Sequence, residues 1–98
     1  MFVELVFFKP KPNVSDAEIV TSAYKTQALA AQLGAAFELE LLKTQEGEWV
    51  EIVHWNDQEA AHRVEQAVMN MPEAQQAMSV INETSIWMVF LHLAMAQI

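Results

Sequence analysis

The first run of the chain, Phe2 to Phe8, is β-branched, aromatic or aliphatic at every position but Glu4, and it stops at Lys9-Pro10-Lys11-Pro12. Proline cannot donate to a ladder, so the run predicts a strand that ends there. Ser15-Asp16-Ala17-Glu18 then reads as a capping box, with acidic side chains at the positive end of a helix. Ile19, Ala23, Thr26, Ala30 and Leu33 follow at spacings of three and four, and Gly34 closes a helix over Asp16 to Leu33. Phe37 to Leu41 alternates with period two, which predicts a strand with one apolar face. Glu46-Gly47 reads as a two-residue turn, and Trp49 to Trp55 as the returning strand. Asn56 to Glu59 caps a second helix with the stripe Ala60, Val64, Ala67, Val68 and Met71. Pro72 interrupts that helix and starts a shorter one to Val80, because proline is tolerated in a first turn. Glu83 to Met95 is the last expected strand.

The order is βαββαβ, in one domain over residues 1–98. Two βαβ-like halves around a central hairpin predict an α+β, ferredoxin-like fold: an antiparallel four-stranded sheet with both helices on one face. A two-residue turn at Glu46-Gly47 pairs Leu41 with Ile52, Leu39 with His54 and Glu38 with Trp55. On that register the helix-covered face carries Val3, Leu5, Phe7, Leu39, Ile52 and His54. The open face carries Val6, Phe8, Trp49, Val53 and Trp55 with Glu4, Glu38, Glu40 and Glu51, joined by Trp87, Val89 and Leu91. So much apolar surface predicts burial against a second copy, hence a homodimer through the open face.

Composition removes whole classes of function. Thirteen acidic against five basic side chains give a net charge of −8, which argues against nucleic acid and against an anionic membrane surface. Cysteine is absent, so disulfides, thiolate metal sites and thiol nucleophiles are excluded. Glu4 stands where a signal peptide carries positive charge, and the longest apolar run, Ile86 to Leu91, falls short of the ~20 residues that span a bilayer. A soluble cytoplasmic protein is expected.

Gly34 and Phe37, the run Glu48-Trp49-Val50-Glu51-Ile52-Val53-His54-Trp55, then Asn56 with Glu59-Ala60-Ala61, Pro72 and Ser85-Ile86-Trp87-Met88 together resemble the antibiotic biosynthesis monooxygenase-like proteins of the dimeric α+β barrel superfamily. That resemblance implies a dimer whose two sheets form a barrel, and a small pocket between sheet and helices in each protomer. It also implies chemistry that ranges from cofactor-free, quinone-forming oxygenation to haem degradation. The Asn, Trp and axial His of the haem-degrading members have no counterpart here in the expected order. Glu38 or Glu40, and Phe90, stand where many relatives carry Arg and His.

His54 is the candidate catalytic residue. On the helix-facing side it would be a general base that removes a proton from a phenol or enol, so that the anion meets dioxygen in a dry cavity. A core histidine hydrogen-bonded to its surroundings is the structural alternative. Glu4, Glu38, Glu40 and Glu51 are candidate lining groups of the dimer barrel, with Trp49, Trp55 and Trp87 beside them. Buried together they would raise one another's pKa values, and they would be protonated or paired with Lys43 or Arg63. Glu59 and His62 have the spacing of a two-ligand helical turn, but one copy on a short helix makes no di-metal site. No metal site, phosphate loop or cofactor motif is present, so no cofactor is expected. Two readings stay open: a cofactor-free monooxygenase acting on a small aromatic or enolisable compound, and a non-catalytic dimer that binds a small apolar ligand or has a stress or regulatory role.

Overall fold

The computed structural model describes residues 2–34, 37–92 and 94. Its elements are β1 (Phe2–Pro10), α1 (Asp16–Gln32), β2 (Phe37–Lys43), β3 (Trp49–Trp55), α2 (Gln58–Met69), α3 (Pro72–Ala77), a 3-10 turn (Met78–Val80) and β4 (Ile81–His92). The strands form one antiparallel sheet in the order β2-β3-β1-β4, with the helices packed on one side. This is the ferredoxin-like α+β fold expected from the pattern. The last strand begins two residues earlier than expected, because Pro10 pairs with Ile81. Met95, its expected end, lies outside the described residues.

Local chemistry accounts for the element ends. Ser15 Oγ accepts from the Glu18 amide at 3.2 Å and Glu18 Oε1 accepts from the Ser15 amide at 3.1 Å, a complete capping box. Gly34 follows α1 at φ +80°, where a side chain would be strained. Asp57 Oδ1 takes the Ala60 amide at 2.7 Å and starts α2. Pro72 sits in the first turn of α3, where its missing N–H costs nothing.

The hairpin corrects the expected register. The β2–β3 connection is a three-residue loop, Gln45-Glu46-Gly47, closed by Thr44 N–H to the Glu48 carbonyl at 2.7 Å and Gly47 N–H to the Thr44 carbonyl at 3.1 Å. Gly47 adopts φ +90° at its end, as a turn followed by a left-handed residue requires. Phe37 therefore faces Trp55, Leu39 faces Val53, and Glu38 faces His54. A one-residue slip sends every side chain of β3 to the other face. The β1–β3 register carries the reversal into β1, pairing Val3 with His54 and Glu4 with Val53.

The helix-covered face thus carries Phe2, Glu4, Val6 and Phe8 of β1, with Trp49, Glu51, Val53 and Trp55 of β3. Their core divides into two clusters: Phe2, Val53 and Trp55 against Ala30, Ala61 and Val64, and Phe8 with Trp49 against Ile19. On the open face the strands align in three rows: Glu38–His54–Val3–Leu91, Glu40–Ile52–Leu5–Val89 and Leu42–Val50–Phe7–Trp87. Apart from the acid–histidine corner at the β2 edge, every position of those rows is apolar. Phe7 and Trp87 stack there with ring centroids 3.8 Å apart.

Candidate active site

Between the sheet and α1 and α2 lies a cavity of about 350 Å³, at the small end of the ~300–1,000 Å³ range of ligand pockets. Its walls are mostly aliphatic and aromatic, from Val6, Phe8, Ile19, Phe37, Val53 and Val64. Met69, Met78 and Met88 line it while remaining exposed, which places three adaptable side chains at its mouth. Into this box project three carboxyl groups, Glu4 from β1, Glu51 from β3 and Glu65 from α2.

Glu4 is only 4% exposed. Burial and a hydrogen bond with the Glu65 carboxyl push its pKa from 4.5 up to about 8. Two carboxyl groups hydrogen-bond only when one of them holds a proton, and the raised group, Glu4, is the one that keeps its proton at neutral pH. Trp55 Nε1 donates to Glu4 Oε1 at 3.2 Å, and this bond together with the nearby His62 pulls the other way without reversing the shift. Glu51 is pushed up to about 7, first by burial and then by the proximity of Glu4. The sheet explains that proximity: Glu4 pairs with Val53 and Val6 with Glu51, so the two acids are diagonal neighbours, within ~7–8 Å, on one face.

Such a site holds one carboxyl group that keeps its proton at neutral pH and another poised near half-ionisation, in an apolar enclosure. These are the acid and the base that proton transfer requires. Among the described residues, no three His, Asp or Glu are grouped to hold a metal ion.

The candidate residues read from the sequence fall into two groups on opposite faces of the sheet. Glu4, Glu51 and Trp55 line the cavity under the helices, not the open face expected of them. Trp49 is also under the helices, packed with Phe8 and Ile19, and its Nε1 is buried with no hydrogen-bond partner among the described residues. Glu38, Glu40 and Trp87 lie on the open face. So does His54, which the sequence places under the helices: its Nε2 stands 3.6 Å from Glu40 Oε1, outside the cavity, and the reversed register of β3 is the reason. Lys43 is engaged by Asp16 at 3.0 Å and lies 5.5 Å over the Trp49 ring, and so does not neutralise the buried acids.

Glu65 is the residue that sequence reasoning missed. It follows Val64 and precedes Val68 by three positions, at the border of the buried stripe of α2, and that adjacency is the only signal it gave. His62 is exposed on α2 but near enough to Glu4 to act on it, and its ring lies 6.3 Å from Phe2 and 6.1 Å from Phe90.

No protein-family model matches the chain. No curated protein matches it in sequence. Solved structures do match. A variant of SnoaB, a cofactor-independent oxygenase from Streptomyces nogalater, superposes with a TM-score of 0.74 at 18% identity, covering 97% of this chain and 94% of its own. A candidate antibiotic biosynthesis monooxygenase from Nitrosomonas europaea gives 0.68 at 10% identity, with 97% and 100% covered. A dimeric ferredoxin-like protein of unknown function from Jannaschia sp. CCS1 gives 0.66 at 16%, with 94% and 98% covered. At these identities the likeness establishes a shared fold along nearly the whole chain, the fold on which the resemblance read from the sequence rests.

Proposed function

We propose that the protein is a homodimeric, cofactor-independent monooxygenase of small aromatic or enolisable compounds, and that Glu51 in the cavity between sheet and helices is its base. The observation that carries this reading is the pair of perturbed carboxyl groups, Glu4 and Glu51, inside an apolar cavity of ligand size. Glu51 takes a proton from an activated carbon or hydroxyl of the substrate. The resulting anion passes its electrons to dioxygen, one oxygen atom stays on carbon as a carbonyl, and the other leaves as water. The apolar walls keep bulk water from the anion. The fold shared with a cofactor-independent oxygenase supports the reading.

The homodimer rests on the open face, whose rows are apolar apart from Glu38, Glu40 and His54, and a contiguous apolar face of this kind marks an interaction surface. Leu42, Trp87 and Leu91 are among its exposed side chains. The dimeric structural neighbour supports it.

Oxygen uptake with a panel of anthrones and dihydroxynaphthalenes tests the activity. Uptake is expected with at least one member, and Glu51→Gln lowers it ~100-fold or more, as loss of a positioned base does. Binding of panel members in the calorimeter with no uptake from any of them would instead make the protein a non-catalytic binder of small apolar compounds.

A further inference from the structure

Oxygenation uses only half of what the cavity holds. A base suffices to make the anion, yet the site also carries a buried carboxyl group that retains a proton beside it. We propose that the cavity catalyses reversible enolisation of small, uncharged cyclic ketones, with Glu51 as base and Glu4 as acid, and that this activity requires no dioxygen. The inference rests on the cavity being the active site, and not on the oxygen chemistry.

The geometry is that of an acid and a base on one wall. Glu4 and Glu51 project from adjacent strands as diagonal neighbours, so a carbonyl oxygen and its α-hydrogen fit between them. The Glu51 carboxylate takes the α-hydrogen as a proton. The C–H electron pair becomes the carbon–carbon double bond, and the carbonyl π pair moves to oxygen, which takes the proton of Glu4 as the Glu4 O–H turns from Glu65 to the substrate. In the return, Glu51 gives its proton back to the same carbon, or to the γ-carbon when a double bond is conjugated with the enol, and Glu4 recovers its own. Atoms and electrons balance, and nothing is oxidised.

The surroundings fit both halves of this cycle. Trp55 Nε1–H, 3.2 Å from Glu4 Oε1, steadies the carboxylate that Glu4 becomes. Glu65, hydrogen-bonded to Glu4, drives the proton back by repulsion and acts as a positioning residue. Charge selects the ligand: among the described residues no Lys or Arg lines the cavity, so an anionic compound meets three acidic side chains and is rejected. The volume of about 350 Å³ suits one or two rings.

The test is deuterium incorporation into 2-tetralone, a two-ring ketone with acidic α-hydrogens, in anaerobic D2O and followed by NMR, with binding measured by calorimetry on the same protein. Wild type is expected to exchange at least 100-fold faster than Glu51→Gln, in line with the ~10²–10⁴-fold supplied by a positioned proton acceptor. Glu46→Gln, on the exposed hairpin loop, leaves the rate unchanged. The rate climbs as Glu51 loses its proton around pH 7 and falls as Glu4 loses its own around pH 8, a narrow bell whose limbs belong to the coupled pair. Glu4→Gln removes the alkaline limb, which a merely structural role would not do. Binding without exchange above the Glu51→Gln rate overturns the inference. Failure of 2-tetralone to bind overturns the cavity as active site along with it. Oxygen uptake in air without anaerobic exchange leaves oxygenation standing and overturns the reversible step, and exchange without uptake does the reverse.

Discussion

Replacing Glu4 by Gln removes an ionisation while keeping the shape and hydrogen bonds of the protonated acid. The amide oxygen still accepts from Trp55 Nε1, and the amide NH2 can donate to Glu65. In wild type the group is held at about 8 in the folded chain against an ordinary 4.5. Between those values the native state keeps a proton that the unfolded chain has released. Stability therefore falls as pH rises, by ~1.4 kcal/mol per pH unit for one proton. Above pH 8 the full loss is about 5 kcal/mol in order of magnitude, a large share of the ~5–15 kcal/mol that holds a domain together. Glu51 acts in the same direction through its own rise to about 7. Urea unfolding of both proteins at pH 5, 7 and 9, at fixed protein concentration because a dimer makes midpoints concentration-dependent, reads the effect. Glu4→Gln should match wild type within ~1 kcal/mol at pH 5 and exceed it by several kcal/mol at pH 9. The comparison cancels the general self-repulsion of a chain with net charge −8. A difference between the two that does not change from pH 5 to pH 9 would refute the buried-acid argument.

Leu5 lies at the centre of the open face between Ile52 and Val89, so Leu5→Glu should convert a dimer into a monomer of 11.1 kDa by native mass spectrometry. An unchanged dimer would place the interface elsewhere. Trp55→Phe removes the donor to Glu4 and should cost ~1 kcal/mol. It should also raise the Glu4 midpoint further, which NMR titration checks. Ile19 is 2% exposed and lines the cavity. Ile19→Ala should therefore lower stability by ~2–4 kcal/mol in urea unfolding, while calorimetry shows bulkier ketones entering the site.

The element order was legible because each boundary carries its own local chemistry: the Ser15–Glu18 capping box, Asp57 before α2, Pro72 in a first turn. The facing of β2 was legible too, since Phe37-Glu38-Leu39-Glu40-Leu41 alternates cleanly. β1 and β3 were not. Val3, Leu5 and Phe7 on one side of β1 are matched by Phe2, Val6 and Phe8 on the other, so alternation supplies no arbiter. The decision passed to the hairpin, where Glu46-Gly47 fits a two-residue turn and Gln45-Glu46-Gly47 a three-residue loop. The Thr44–Glu48 and Gly47–Thr44 hydrogen bonds select the three-residue loop. That single residue decides whether His54 or Glu51 faces the helices. Glu65 stayed hidden for another reason: at the edge of the α2 stripe, its burial depends on how far the helix rotates over β1.

Acid–base chemistry in the cavity depends on the protonation of two side chains, Glu4 and Glu51. A titration of carboxyl-13C-labelled glutamate by NMR, with Glu4→Gln and Glu51→Gln to assign the signals, measures both at once. Midpoints of about 8 for Glu4 and about 7 for Glu51 are expected. If both carboxyl groups instead titrate near 4.5, the cavity holds ordinary carboxylates, and neither a poised base nor a proton-bearing acid exists there.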